Sequence, residues 1–419
     1  MEKAVAFLLS LDLQGLVGIF WFYFVFEVPR YVLAVLAVGS RAVFEADEPL
    51  PPADVPVSVL LAGHNEGDKL PAAARGLREQ THGDLEIIVA DDGSSDETRA
   101  IANRLLKDGW IDRFTAADLR GGKASALNLG MAQCSNELVV VMDIDTSLDR
   151  DAVAHVIAPL VNDPACGAVS GSLAVRNPDA SLLSQLQAIE YTTTIVLGRQ
   201  FTSMFDILTI VSGAFGGFRR SAIRAVGGWD VGPGDDSNLT TKLRRAGWSI
   251  RFAPHAWALT DVPVTLGAFT RQRLRWNRSL IRNRLRKFRG VFDPRQGTFS
   301  WRDVMASLNV LWFHVGLSIS FVLYIVHILA YYPEIALTII IAVHLLILLG
   351  DAVEFVVALI VVRRLRVLSW LPYMPLTSLF TAYVKRAIRL MAYGSELVLR
   401  RSYDDPFYPR KVRQAQDQF

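Results

Sequence analysis

The chain has 419 residues, 51% of them hydrophobic, and a mean hydropathy of +0.28, which excludes a wholly water-soluble protein and places part of the chain in a membrane. Its formal net charge is only +3, and two cysteines, Cys134 and Cys166, exclude a disulfide framework and suit a reducing cytosol. The length accommodates one soluble domain of catalytic size plus several spans.

Residues 13–38 are long enough to cross a bilayer at roughly 1.5 Å rise per residue, although Glu27, Pro29 and Arg30 interrupt them. They read as one kinked span, too long for a signal-peptide core and without a small-residue cleavage site. From 47 to 262 the pattern changes. "VPVSVLLAG", "LEIIVAD", "NELVVVMDID" and "CGAVSGSLAV" are short β-branched runs bounded by polar or glycine-rich turns, with helical segments at 69–80, 96–107 and 123–134 between them. That order predicts βαβ units and a mostly parallel sheet covered on both faces.

Polar residues collect where such a sheet binds ligands. "HNE" (His64, Asn65, Glu66) follows the first strand, "DDGSSD" (from Asp91) the second and "DID" (Asp143, Ile144, Asp145) a later one. Ligands bind outside the carboxyl ends of strands in open α/β sheets, so the three loops should converge. Crowded carboxylates repel unless a cation joins them, and Mg²⁺ or Mn²⁺ with a bound diphosphate would supply one. Alone, a D-x-D is most often a pair of solvated acids and "DDGS" a turn; three acid-bearing loops in order, one fed by the buried run "VVVMDID", favour a site. "LRGGKASALNLG" adds glycines that let backbone approach phosphate, and Lys123 opens a helix whose N-terminal amides favour an anion. The spacing is not that of a P-loop.

Residues 179–215 look amphipathic and suited to the membrane surface. The stretch 270–290 carries nine Arg or Lys and no acid. Spans are expected at 304–330 and 335–362, a hairpin joined by "YYPE". The basic stretch before it and "RRLR" (363–366) after it place both ends in the cytoplasm. Residues 369–391, with two prolines and a basic tail to follow, should lie in the interface or re-enter.

In order from about 56 to 276, "VSVLLAGHNE", "VADDGSSDET", "GGKASALNLG", "VMDIDT", "SGAFGGFRR", "GDDSNLTTKLRRAGW" and "QRLRW" resemble the membrane-integrated family 2 glycosyltransferases, the group of cellulose, chitin and hyaluronan synthases and the rhizobial chitin-oligosaccharide synthase. The resemblance implies an α/β fold in which a cytoplasmic GT-A (Rossmann-like) domain lies between N- and C-terminal transmembrane helices. It implies five regions: a transmembrane segment to 46, the catalytic domain at 47–262, an interface region at 263–302, membrane and interface helices at 303–393, and a cytoplasmic tail from 394 in which 400–412 is placed like a gating loop. It also implies that Ala62, His64, Glu66, Asp92, Lys123 and Asp143 bind a nucleoside diphosphate sugar, that Asp145, with Asp143, holds the metal, and that Asp236 is the general base.

"GDD" departs from the commoner "TED", so Asp235 competes with Asp236 for the base role; hyaluronan-type and rhizobial members share "GDD". The cluster also reads as an N-terminal cap for the helix after it. On a helix Gln272, Arg275 and Trp276 fall at i, i+3 and i+4 and share one face, where Arg275 can meet diphosphate and Trp276 a sugar ring. Trp21, Phe22, Tyr23, Phe24, Trp312, Phe313, Asp351 and Glu354 are candidates to line an acceptor path, or else pack helices.

The expected reaction is inverting, processive transfer of hexosyl units from UDP-N-acetylglucosamine or UDP-glucose to a growing polysaccharide secreted across the inner (plasma) membrane. A single-sugar transfer to a lipid acceptor is the alternative, and a non-catalytic receptor is disfavoured because every expected acid is present. Expected partners are the donor, a glycan or lipid acceptor and the bilayer, with a homo-oligomer or export partners as further candidates and no nucleic acid.

Overall fold

The computed structural model describes residues 6–7, 10–44, 48–362 and 365–414. The boundary expected at 46/47 and Arg363 and Arg364 of "RRLR" lie outside the described residues.

Among the described residues eight strands form one sheet in the order β3-β2-β1-β4-β7-β6-β8-β5. These are β1 (Val57–Gly63), β2 (Leu85–Asp91), β3 (Arg113–Ala116), β4 (Leu138–Asp143), β5 (Ser147–Leu148), β6 (Cys166–Val175), β7 (Phe215–Arg219) and β8 (Ser249–Thr260). β3, β2, β1 and β4 run parallel, as the βαβ pattern predicts. The sheet as a whole is mixed, because β7 is antiparallel to both β4 and β6. β7 is the "FGGFR" of the "SGAFGGFRR" motif, whose glycines mask a strand; Gly217 pairs with Val140 and leaves room for Val156 above it.

Alternation along each strand feeds two cores. Val57, Val59 and Leu61 face the helices Leu70–Arg78, Thr98–Lys107 and Ala152–Asn162, while Leu60 and Ala62 face Lys123–Met131 and Asp235–Arg245. The helices expected at 69–80, 96–107 and 123–134 are thus present with trimmed ends. Register aligns the strand ends: Ala62 lies opposite Ala90 and Asp143, and Gly63 opposite Asp91.

Among the described residues two helices are long and apolar enough to cross a membrane, Trp301–Tyr331 and Ala336–Val362. Near the N-terminus Leu13–Ile19 and Tyr23–Leu33 make a pair bent by 84°. The bend falls before Tyr23, and Pro29 lies inside the continuous helical run that follows, two residues after its π segment Tyr23–Glu27. The 365–399 region is built of short 3₁₀, α and π segments ending in Arg386–Leu399.

The charges in the apolar segments find partners. Arg30 donates to Asp351 (3.2 Å) and lies 3.4 Å from Glu27 and 3.7 Å from Glu354, and Arg386 donates to Glu27 at 2.6 Å. The aromatic residues stack on one another, Phe22 on Phe26 and Tyr324, and Phe26 on Trp312 at 4.8 Å between centroids. Val38, Val357, Ala358 and Val361 continue the second core of the α/β domain through Val196 and Leu197 of the Val196–Met204 helix. The membrane helices and the sheet therefore share one packed core.

Candidate active site

The three acid-bearing loops converge at the carboxyl ends of β1, β2 and β4. The first two are stitched together: the Asn65 amide donates to Ser94 Oγ (2.9 Å), and the Ser95 amide donates to Asn65 Oδ1 (2.9 Å). Asn65 adopts a left-handed φ of 58°, which asparagine tolerates. Glu66 is half-buried, and burial first, then the charges of Asp145 and Asp143, push its carboxyl up to about 7.

The two acids that open "DDGSSD" do different work. Asp91 is fully buried and accepts from the Ser94 amide (3.1 Å) and Arg99 Nε (2.9 Å), which fixes the turn. Asp92 reaches across to accept from the amides of Gly121 (2.7 Å) and Gly122 (2.9 Å), and its own carbonyl lies 3.0 Å from His64 Nδ1. The anion at the amides leading into the Lys123–Met131 helix is therefore the protein's own Asp92, where the sequence predicts an approach for phosphate. Gly93 allows this: its φ is +67°, and a Cβ there would stand 2.6 Å from the Arg120 nitrogen.

Lys123 points away from the amides toward the acids. Its Nζ lies 2.5 Å from Asp143 Oδ1 and donates to the Gly213 carbonyl at 2.9 Å. The Gly213 amide in turn donates to Asp236 Oδ2 at 3.0 Å, so Gly213 relays between Lys123 and the first turn of Asp235–Arg245. Burial first, then the adjacent Asp235 charge, push Asp236 up to about 6, while burial also raises Asp235. A Cβ on Gly213 would stand 2.3 Å from Asp236 Oδ1, so only glycine fits.

"QRLRW" lies on the Leu266–Ile281 helix, so Gln272, Arg275 and Trp276 share the i, i+3, i+4 spacing expected of them. Gln272 Oε1 is buried with no hydrogen-bond partner, and Trp276 is 39% exposed. The helix is keyed to "GDD" through Asn283, whose Nδ2 donates to the Gly234 carbonyl (3.1 Å) and Ser237 Oγ (2.6 Å). Arg275 lies 4.0 Å from the Phe407 ring centroid of the tail. The tail continues across the mouth: Arg120 donates to the Phe407 carbonyl (3.2 Å), Arg282 to the Tyr403 hydroxyl (2.5 Å), and Pro409 and Val412 lie over Gly122. The tail expected as a loop carries a short helix, Arg410–Gln414.

Sequence reasoning missed Gly213, Asn283 and Asn128. The last exchanges hydrogen bonds with the Trp229 backbone (2.8 and 2.9 Å) and so ties the Lys123 helix to the loop before "GDD". Its place in "ALNLG" between apolar residues was the available signal.

Among the described residues no three His, Cys, Asp or Glu side chains form a cage for a metal ion. The donor set still fits Mg²⁺ or Mn²⁺, because such ions take one or two carboxylates and complete their shell with phosphate oxygens and water. Asp145 is the carboxylate of the "DID" pair not held by Lys123.

The model of the family described as "Glycosyl transferase family 2" matches residues 58–227. The chain is 30% identical over 310 residues to a poly-beta-1,6-N-acetyl-D-glucosamine synthase of Staphylococcus aureus, covering 73% of this chain and 72% of that one. To the enzyme of the same name from Staphylococcus epidermidis it is 31% identical over 267 residues, 64% of this chain and 62% of the relative. Among solved structures, a mannosyltransferase from Pyrobaculum calidifontis in complex with GDP-Man and Mn²⁺ superposes with a TM-score of 0.60 at 19% identity, covering 82% of this chain and 98% of that one. That likeness shows a GT-A-type α/β fold.

The Gly213 relay yields a direct test. Gly213→Ala drives a methyl group into the Asp236 carboxylate, and turnover should fall about 100-fold, the cost of misplacing a reacting group by about 1 Å. Steady-state kinetics beside a circular-dichroism melt checks this: normal turnover in a folded variant would remove Asp236 from the chemistry.

Proposed function

The chain belongs to glycosyl transferase family 2, and within it we propose an inverting, processive synthase that transfers N-acetylglucosaminyl units from UDP-N-acetylglucosamine to a growing polysaccharide and passes the product across the membrane. The observation that carries this reading is the similarity to the staphylococcal synthases over 310 residues, well beyond the 58–227 match. Those relatives make the N-acetylated sugar the better choice over glucose. The nine cations of 270–290, directly before the first long apolar helix, support a cytoplasmic catalytic domain at the inner (plasma) membrane as part of this reading.

Asp236 takes the proton from the acceptor hydroxyl as its oxygen attacks the anomeric carbon, and the bond to the diphosphate breaks with its electron pair on UDP. Inversion follows from attack opposite the leaving group. Asp235 keeps Asp236 basic by its negative charge. Asp145, with Asp143 beside it, would hold Mg²⁺ or Mn²⁺, which neutralises the departing diphosphate. Ala62, His64 and Glu66 line the nucleotide side, and Asp92 acts there by fixing the Gly121–Gly122 turn. Lys123 and Arg275 supply positive charge for the diphosphate, and Gln272 and Trp276 meet the acceptor.

The tail is a gate over the donor. Its support is the row of contacts from Tyr403 to Val412 on Arg282, Arg275 and Gly122. Closed, it excludes water from an activated sugar that would otherwise hydrolyse.

A panel of UDP-sugars given to the purified protein in lipid nanodiscs tests the function. UDP release should be fastest with UDP-N-acetylglucosamine, and the product should be a long polymer. One sugar on a lipid, or preference for UDP-glucose, overturns the corresponding part.

Asp236→Asn should lower transfer about 100- to 10,000-fold with donor affinity nearly intact, because the base acts on the acceptor. In the unsubstituted enzyme kcat/KM should fall as pH drops through about 6, where Asp236 takes up a proton. Asp145→Asn should weaken donor binding in the presence of Mn²⁺ but not in its absence. Calorimetry and initial rates distinguish the two roles, and an active Asp236 variant would move the base to Asp235.

Deleting the chain after Leu399, or replacing Phe407 by Ala, should lower turnover and raise the fraction of donor lost to water, while membrane insertion persists. Unchanged turnover in both would leave the tail as a basic membrane anchor.

A further inference from the structure

Charged side chains are seldom buried unless paired, and one buried cluster lies directly beneath the proposed acceptor platform. Glu190 ends the Leu182–Glu190 helix, and its two carboxylate oxygens accept from both terminal nitrogens of Arg273, at 3.2 and 3.0 Å. Lys385 Nζ reaches the same carboxylate at 3.0 Å from the C-terminal segment. None of the three side chains is more than 12% exposed. Burial alone would raise the Glu190 carboxyl, but Arg273 and Lys385, with Arg389 behind them, hold it down at about 2, so it stays ionised at every working pH.

Arg273 belongs to "QRLRW" but is neither Gln, Arg nor Trp of the Gln-x-x-Arg-Trp spacing. It lies three residues before Trp276, on the same side of the helix, with its guanidinium carbon 4.7 Å from the Trp276 ring centroid and 5.0 Å from that of the fully buried Phe269. A bidentate pair with a carboxylate fixes the plane of a guanidinium, which a single contact to a lysine would not do. A fixed cation against an indole restrains the ring. Trp276 keeps 39% of its surface exposed, so a sugar can still reach it.

We propose that Glu190 and Arg273 are positioning residues that set the Trp276 ring as the platform for the acceptor sugar, with Lys385 anchoring the platform to the C-terminal helices. The proposal rests on the reading of Trp276 as acceptor-binding. Three separate parts of the chain meet at one carboxylate, so the platform forms only when the Leu182–Glu190 helix, the "QRLRW" helix and the C-terminal segment are docked together. Neither Glu190 nor Arg273 touches the donor side, where Lys123, Asp143 and Asp92 make their own contacts.

The test is a double-mutant cycle on the full-length protein in nanodiscs, with a short β-1,6-linked N-acetylglucosamine oligomer as acceptor and UDP-N-acetylglucosamine as donor. Glu190→Gln and Arg273→Lys should each raise the acceptor KM about tenfold while the donor KM stays within about twofold. Combined with Trp276→Ala, Glu190→Gln should add nothing further, because its effect passes through the ring. Additive effects in the cycle, or equal rises in both KM values, would reduce the cluster to a structural staple and overturn the proposal. Should Glu190→Gln fail to fold, Arg273→Lys, which keeps the charge, carries the same cycle. An unsubstituted protein that releases UDP but never extends the oligomer sinks the synthase reading itself, and the platform with it.

Discussion

The Lys123 ammonium, 2.5 Å from the Asp143 carboxylate and hydrogen-bonded to the Gly213 carbonyl, organises the electrostatics of the domain. Its field also covers Asp235 and Asp236. Burial drives carboxylates toward the neutral form and mutual repulsion adds to it unless a cation offsets them, and each of these three is raised, by burial first, despite Lys123. Geometry depends on the same contact. Lys123 starts the helix behind the glycine turn, Asp143 ends β4, and Gly213 precedes β7, so one amine joins the parallel half of the sheet to the antiparallel half.

A second constraint is the shared core of sheet and membrane helices. Val357, Ala358 and Val361 pack with Val196, Leu197 and Trp257, and the Glu190 carboxylate collects cations from two other segments. A buried carboxylate with two cationic partners is costly to rearrange, because withdrawing either partner leaves charge unpaired in a poor solvent for it. The catalytic cleft therefore cannot tilt freely against the bilayer, and the distance from Asp236 to the membrane helices is set by packing.

The strand ends and their acids were legible because a buried β-branched run that stops at a carboxylate constrains both local structure and chemistry. The two long apolar helices were legible within a few residues, since their length and composition satisfy one physical requirement. β7 was not, because "FGGFR" lacks strand propensity and is held in place by its neighbours. The Asp92 contact was not either: a glycine turn before a helix suits any anion, and sequence cannot say that a side chain 29 residues earlier arrives first. The kink in the N-terminal apolar stretch was legible, but its place before Tyr23 was not. Glu190, Arg273 and Lys385 are far apart in sequence, and only tertiary packing buries them together.

The contact between Arg120 and the Phe407 carbonyl joins positions 287 residues apart. At ribosomal speeds of about 5–20 residues per second, roughly a quarter of a minute to a minute separates the emergence of the two. The sheet, its acids and its glycine turn are thus made long before the segment that lies over them. Throughout that interval the acid-bearing loops stand without the segment that later lies over them, and the two long apolar helices are still to be made. Order of synthesis, as well as geometry, separates having the nucleotide loops from having a covered site.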